Sequence, residues 1–206
     1  MTTISLTDAG KRFNKDWIFK GLDFKFEQGN HYALIGNNGS GKSTLLQIIA
    51  GYTTLSKGTI TWGPFDTHTI FQQLSIAAPY LELIEEFTTL EQFEFHAKFK
   101  QINTQLNYAQ IIELIGLKNA TNKQIRYFSS GMKQRLKIAL AIFSETPMLL
   151  LDEPCSNLDK EGYALYRHLI NTYALDKLII VGSNDPQEYS FCKQQINLMD
   201  YKNVGV

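Results

Sequence analysis

The residues richest in chemistry lie between positions 33 and 51, which read ALIGNNGSGKSTLLQIIAG. Gly36, Asn37, Asn38, Gly39, Ser40, Gly41, Lys42 and Ser43 fit the pattern G-x-x-x-x-G-K-[ST]. Glycines at those places let backbone N–H groups crowd toward one point, and the positive end of a following helix adds to the field. The ligand that such a cradle answers is a polyphosphate, with many oxygens and several negative charges. Lys42 would reach its β and γ oxygens, and the Ser43 hydroxyl would ligate Mg2+. The flanks agree: Ala33, Leu34 and Ile35 form a short apolar strand, and Thr44, Leu45, Leu46, Ile48, Ile49 and Ala50 continue as a helix that closes at Gly51. A flexible turn that only reverses the chain is the alternative. The lysine, the hydroxyl and both flanks weigh against it.

Two further stretches carry groups suited to the same ligand. Met148 to Leu151 is an apolar run that ends in Asp152, Glu153 and Pro154. Such a run reads as a buried strand, and in an open α/β sheet ligands sit beyond the carboxyl ends of the strands. Asp152 then falls beside the phosphate loop, able to hold Mg2+ through water. Glu153 can orient or deprotonate a water that attacks the γ-phosphate. Two acids that merely cap a following helix are the alternative. Upstream, Phe128-Ser129-Ser130-Gly131-Met132-Lys133-Gln134-Arg135 is a small-residue turn opening a helix. It offers N–H groups and a hydroxyl to phosphate oxygens; taken alone, it is equally an ordinary serine N-cap.

The elements that must position these groups follow from patterning. The chain has 206 residues, enough for one sizeable core or a core with a small subdomain. Its 20 basic and 20 acidic residues cancel, which leaves no basic bias for nucleic acid. The start lacks the apolar segment of a signal peptide, and no apolar run has membrane-spanning length, so the expectation is a soluble chain whose membrane role goes through a partner. Cys155 and Cys192 are too few for a disulfide framework or a zinc site and suit a reducing cytosol. Residues 2–7 alternate as a strand, residues 11–17 read as a polar turn with two aromatics, and Leu22, Phe24 and Phe26 mark a half-exposed antiparallel strand. Residues 59–62 read as another strand. Helical spacing covers 90–101 and 106–115, with Gly116 as C-cap, and Phe87, Phe93, Phe95 and Phe99 are expected to form the core of that helical insert or to face a partner. Residues 131–144 and 160–174 read as helices, 178–182 as a buried strand, 186–192 as a helix and 196–199 as a last strand. Buried strands alternating with helices imply a parallel sheet covered on both faces.

The segment Phe128 to Arg135 resembles the signature of ABC-type ATPases, written LSGGQ followed by a basic residue and Arg. Ser129 and Gly131 match; Phe128 stands for Leu, Ser130 for the first Gly and Met132 for Gln. Ser156-Asn157-Leu158-Asp159 resembles the D-loop of the family, and Phe13 matches its adenine-stacking aromatic, with Trp17 as rival. The resemblance covers essentially the whole chain in order. It implies one ABC-type ATP-binding domain over 1–206, a P-loop NTPase core of mostly parallel sheet flanked by helices. To that core it adds an N-terminal antiparallel β subdomain and a helical subdomain at approximately 80–130. It implies ATP and Mg2+ as cofactors. The nucleotide would meet Phe13, residues Gly36 to Thr44 and, on the other side, Ser129, Ser130, Gly131 and Met132 of a second subunit. Ser43 and Asp152 would serve the metal. The catalytic residues would be Glu153, Lys42 and Asn184.

Two positions depart from the family. Its Gln at the junction into the helical insert aligns with Tyr80, and a neutral phenol coordinates Mg2+ poorly; Gln72 and Gln73 lie upstream as substitutes if the loop is rearranged. Its γ-phosphate-contacting His is replaced by Asn184, which can donate a hydrogen bond but cannot carry charge or relay a proton. The first functional expectation is an ATP-hydrolysing subunit, slow in turnover, that dimerises with itself or another ABC ATPase and drives a transmembrane permease. It would lie at the inner face of the cell membrane through that permease. The alternative is an ATP-gated assembly switch with little hydrolysis. The long coiled coil of repair members and the doubled domain of translation members are missing. Asn122-Lys123-Gln124-Ile125 lacks the Asp of a guanine-reading motif.

Overall fold

The computed structural model describes residues 3–102 and 105–202. Among the described residues eight strands make two sheets, packed with five α-helices. Strands β1 (Thr3–Phe13), β2 (Asp16–Glu27) and β4 (Lys57–Thr61) form an antiparallel sheet in the order β2-β1-β4. Strands β5 (Leu74–Ala77), β6 (Met148–Asp152), β7 (Leu178–Gly182), β3 (His31–Ile35) and β8 (Gln194–Asn197) form a parallel sheet in the order β5-β6-β7-β3-β8. The helices are α1 (Lys42–Ile49), α2 (Thr89–Ala97), α3 (Tyr108–Leu114), α4 (Ser130–Phe143) and α5 (Lys160–Tyr173).

The central strands are apolar on both faces because both faces are covered. Along β6 and β7, Met148, Leu150, Leu178 and Ile180 pack with α1 and the antiparallel sheet. The alternate residues Leu149, Leu151, Ile179 and Val181 pack with α4 and α5. Period-two alternation thus feeds two cores from one strand, at about 1.5–3 kcal/mol for each fully buried Leu or Ile. A polar residue anywhere inside β6 would open one core or the other. The register sets Asp152 opposite Gly182 and Leu34 opposite Gly182, so three strand ends finish at one level.

Several expected boundaries shift, each for a physical reason. Residues 11–13 belong to β1, because Arg12 pairs with Trp17 and Phe13 with Asp16, leaving only a tight turn with Asn14 at φ 55°. Thr2 of the strand expected over 2–7 lies outside the described residues. Strand β5 went unread: four residues of mixed polarity carry too short a period. Helix α2 starts at a Thr88–Glu91 capping box and stops at Ala97, short of residue 101. Helix α3 starts one residue after Asn107, whose side chain forms a capping box with Gln110. Residues 186–192 form turns and no helix, and Glu188 there is drawn inward. The last strand sits at Gln194–Asn197; residues 198–201 are a 3-10 turn capped by the Asn197 side chain. Of the four insert phenylalanines only Phe93 is fully buried. Phe87, Phe95 and Phe99 run edge to face at 5.5 and 5.1 Å, and Phe99 is 70% exposed.

Candidate functional site

The three aligned strand ends build the site. The chain leaves β3 at Ile35, turns through Gly36 to Gly41 and enters α1 at Lys42. Inside the turn Ser40 N donates to Asn37 O at 3.0 Å, and Leu45 N donates to Gly41 O at 2.8 Å as the helix starts. Gly41, at φ 104°, is the N-cap; a Cβ there would lie 2.4 Å from Ile18 Cγ2 of β2. Gly39 has φ 75°, and a Cβ there would meet nothing within 4 Å. The loop opens on a cavity of about 240 Å³ lined by Asn38, Gly39, Lys42, Ser43, Thr44 and Glu153, with Ile18 as one wall.

Lys42 Nζ is turned back into the loop. It donates to Gly36 O at 2.7 Å, Asn37 O at 3.3 Å and Asn184 Oδ1 at 3.1 Å. Burial pulls its pKa below the ordinary lysine value, against the opposing pull of Glu153 and Asp152. Asn184 also donates from Nδ2 to Asn38 Oδ1 at 2.7 Å, so this residue bridges the lysine and the loop. Asp152 is buried, and burial raises its carboxyl above the usual range, offset by a hydrogen bond from Ser43. Its Oδ1 and the hydroxyl of Ser40 are buried with no hydrogen-bond partner among the described residues. Buried polar atoms left open are costly. Here they lie beside a cationic lysine and a glycine cradle, a donor set that fits a polyphosphate with a hard, oxygen-seeking cation such as Mg2+.

Glu153 lines the same cavity, in the left-handed conformation at φ 44°. Its N–H donates to Gly182 O at 2.9 Å, and Pro154 O accepts from Gln134 Nε2 at 2.6 Å. Tyr80 is brought close: its hydroxyl hydrogen-bonds Gln47 of α1, and burial, followed by the nearby Asp152 charge, raises its pKa well above the ordinary value. Gln72 and Gln73 are not brought close. They precede β5, and Gln73 O accepts from Met148 N, at the opposite end of the strand that delivers Asp152. Four intervening strand residues span about 13 Å, which rules them out as local substitutes for the position of Tyr80.

The serine-bearing turn is a separate place. Ser129 caps α4, its hydroxyl accepting from Met132 N at 3.2 Å. Ser129, Ser130, Gly131, Met132, Asn157 and Asp159 line a second cavity of about 350 Å³ that shares no residue with the first. Asn157 takes φ 65°, and Gly131 lies so close that a Cβ would stand 3.2 Å from Asn157 O. Phe13, 52% exposed, ends β1 with Lys11 Nζ 5.1 Å from its ring centre. Trp17 is flanked by Arg12 and Lys20 at 5.6 and 5.5 Å and is packed against Gly10. Four neighbours of the site were not read from the sequence: Ile18, Gln47, Gln134 and Glu188. Gln47 and Gln134 lie within the two quoted motif stretches but at positions without an assigned role, and Ile18 and Glu188 lie in none; each reaches its neighbour through packing between distant segments.

Loop, strand-end carboxylate and parallel sheet together define a nucleotide-binding protein of the phosphate-loop class. The sequence model of the family described as "ABC transporter" matches residues 19–156. The chain is 32% identical over 170 residues to a cytochrome c biogenesis ATP-binding export protein, CcmA, of Rhodopseudomonas palustris, covering 82% of this chain and 85% of that protein. The chain belongs to the ABC transporter family and is an ATP-binding member of it. Among solved structures, a putative ABC transporter ATP-binding protein from Pyrococcus furiosus superposes with a TM-score of 0.82 at 19% identity, covering 98% of this chain and 100% of that one. A bacterial ABC transporter cassette, MJ0796, solved as a dimer, superposes with a TM-score of 0.78 at 22% identity, covering 94% and 93%. The shared fold is thus the parallel sheet with helices and the added antiparallel strands.

Proposed function

We propose that the chain is one ATP-binding and ATP-hydrolysing domain over 1–206, with a helical lobe at about 80–130, that dimerises around ATP and drives a transmembrane permease. The observation that carries this reading is the separation of the two cavities. The phosphate loop has a lysine, a metal carboxylate and an acid beside it. The serine-bearing turn has phosphate donors and no phosphate loop of its own. Each is half a site, and two copies set head to tail would complete both. The dimeric cassette of the same fold supports this arrangement.

In this reading Gly36 to Thr44 cradle the phosphates and Phe13 stacks on adenine. Lys42 leaves its carbonyl partners to meet the β and γ oxygens. Mg2+, held by Ser43 and through water by Asp152, would neutralise phosphate charge. Glu153 holds the attacking water and takes up its proton. Ser129, Ser130, Gly131 and Met132 of the second copy face the γ-phosphate. Asn184, already bonded to Lys42 and Asn38, donates its amide to that phosphate. An amide adds no charge, so turnover is slow. Steady-state phosphate release tests this. Wild type should exceed Glu153→Gln by about 100-fold or more, the lower end of a general-base contribution. Equal rates would defeat hydrolysis and favour the second reading, an ATP-gated assembly switch, for which the phenol of Tyr80 beside Asp152 is the supporting observation. The membrane partner is tested by co-purification from detergent extract.

A further inference from the structure

Glu188 is a buried acid that the reading above does not use. It lies in the turns after β7, 3% exposed, where a sequence seeking stability alone would place an apolar residue. Its Oε1 accepts from Cys155 N at 2.7 Å. Its Oε2 has no partner of hydrogen-bond geometry among the described residues; the nearby Ser183 hydroxyl, which accepts from Asp185 N at 2.9 Å, favours the ionised form. The backbone of Glu188 is fixed as well. Its N–H donates to Asp185 O at 3.0 Å, and its carbonyl accepts from Tyr166 OH of α5 at 2.8 Å.

What this acid holds is the turn that carries Glu153. Glu153 sits at φ 44°, a strained conformation for a non-glycine residue that survives only where the surroundings over-determine it. Four contacts do so: Glu153 N to Gly182 O at 2.9 Å, Ser156 N to Glu153 O at 3.1 Å, Gln134 Nε2 to Pro154 O at 2.6 Å, and Cys155 N to Glu188 Oε1 at 2.7 Å. One closes the turn on itself and two come from the end of β7 and from α4; the fourth is the one that Glu188 supplies. The same residue follows the Ser183-Asn184-Asp185 loop, whose Asn184 touches Lys42. We propose that Glu188 is a positioning residue: its carboxylate pins the turn after Glu153, keeps that side chain in the phosphate cavity, and couples it to the loop that carries Asn184. The proposal rests on the reading that Glu153 serves hydrolysis.

Glu188→Met keeps the length and removes the acceptor; Glu188→Gln keeps an acceptor for Cys155 N. The readouts are kcat and KM for ATP, and hydrogen exchange at the Cys155 amide in the ATP-free protein. Expected for Glu188→Met is a fall in kcat of about 10- to 100-fold, the cost of a misplaced reacting group, with KM within about threefold because the phosphate loop is untouched. The Cys155 amide should exchange at least about tenfold faster, and Glu188→Gln should stay within about threefold of wild type in both measurements. If the Met variant does not fold, Glu188→Asp, too short to reach Cys155 N, takes its place. Wild-type kcat and exchange in the acceptor-less variant would overturn the proposal. So would a parallel loss of kcat, KM and melting temperature in both Met and Gln variants, the mark of a merely structural acid. Should wild type hydrolyse no faster than Glu153→Gln, hydrolysis fails as a reading. The exchange rate at Cys155 then decides by itself whether Glu188 holds the turn.

Discussion

Two glycines in the phosphate loop separate folding from ligand binding, and alanine at each gives different outcomes. Both have positive φ, 75° at Gly39 and 104° at Gly41. Alanine there costs about 1–2 kcal/mol of backbone strain. At Gly39 that is the whole cost, since a Cβ meets nothing within 4 Å. The loop, free of ligand, can relax to escape the strain, and binding must restore it. The expected result for Gly39→Ala is a melting temperature within about 5 °C of wild type and nucleotide affinity reduced about 5- to 30-fold, the same 1–2 kcal/mol. At Gly41 the strain cannot be shed, because this residue opens α1 and its Cβ would lie 2.4 Å from Ile18 Cγ2. Overpacking adds about 1–3 kcal/mol, for a sum near 2–5 kcal/mol and a drop of about 5–15 °C in melting temperature. Ile18→Ala in the Gly41→Ala background should recover the overpacking part and leave the strain. Thermal melting and titration with a fluorescent ATP analogue measure both quantities. Equal destabilisation by the two alanines, or wild-type affinity in Gly39→Ala, would refute the reasoning.

Two further outcomes follow from the site. Phe13→Ala should weaken ATP about 5- to 50-fold, within the range of base–aromatic stacking, while the melting temperature holds because the ring is half exposed; isothermal titration checks it. Burial, against Ser183 and the Cys155 amide and reinforced by Asp185 and Glu153, pushes the Glu188 carboxyl up to about 7 from an ordinary value of 4.5. Between those values the folded state binds more protons than the unfolded, so its stability falls as pH rises through about 7, by an upper bound of about 3 kcal/mol. The melting temperature of wild type minus that of Glu188→Gln should therefore drop by about 5–10 °C from pH 5 to pH 8; a gap that stays constant or grows would contradict the assigned burial.

What could be read in the sequence was what local chemistry dictates. The phosphate loop needs its glycines, lysine and hydroxyl contiguous, so Gly36 to Ser43 announce themselves. Strands β6 and β7 are buried on both faces, so their apolar runs ended visibly at Asp152 and Gly182. Asn184 was marked by the family resemblance, as the residue standing where the family has a His, and the structure sets its side chain on Lys42. The rest depends on contacts between distant segments. Glu188 fell within an expected helix, and nothing in residues 186–192 tells that its side chain turns inward to Cys155 N. Gln72 and Gln73 looked near enough to stand in for Tyr80 until the unread β5 set them at the far end of the sheet. Ile18 carries no motif; only the packing of β2 over the start of α1 brings it against Gly41.

The central claim is that two copies share each nucleotide, and sedimentation velocity of the Glu153→Gln protein with saturating Mg·ATP tests it most directly. The 23.5 kDa chain should sediment as a dimer of twice that mass, revert to monomer without nucleotide, and fail to dimerise when Lys42→Ala is added. A Glu153→Gln protein that binds ATP yet stays monomeric at saturation would contradict the account.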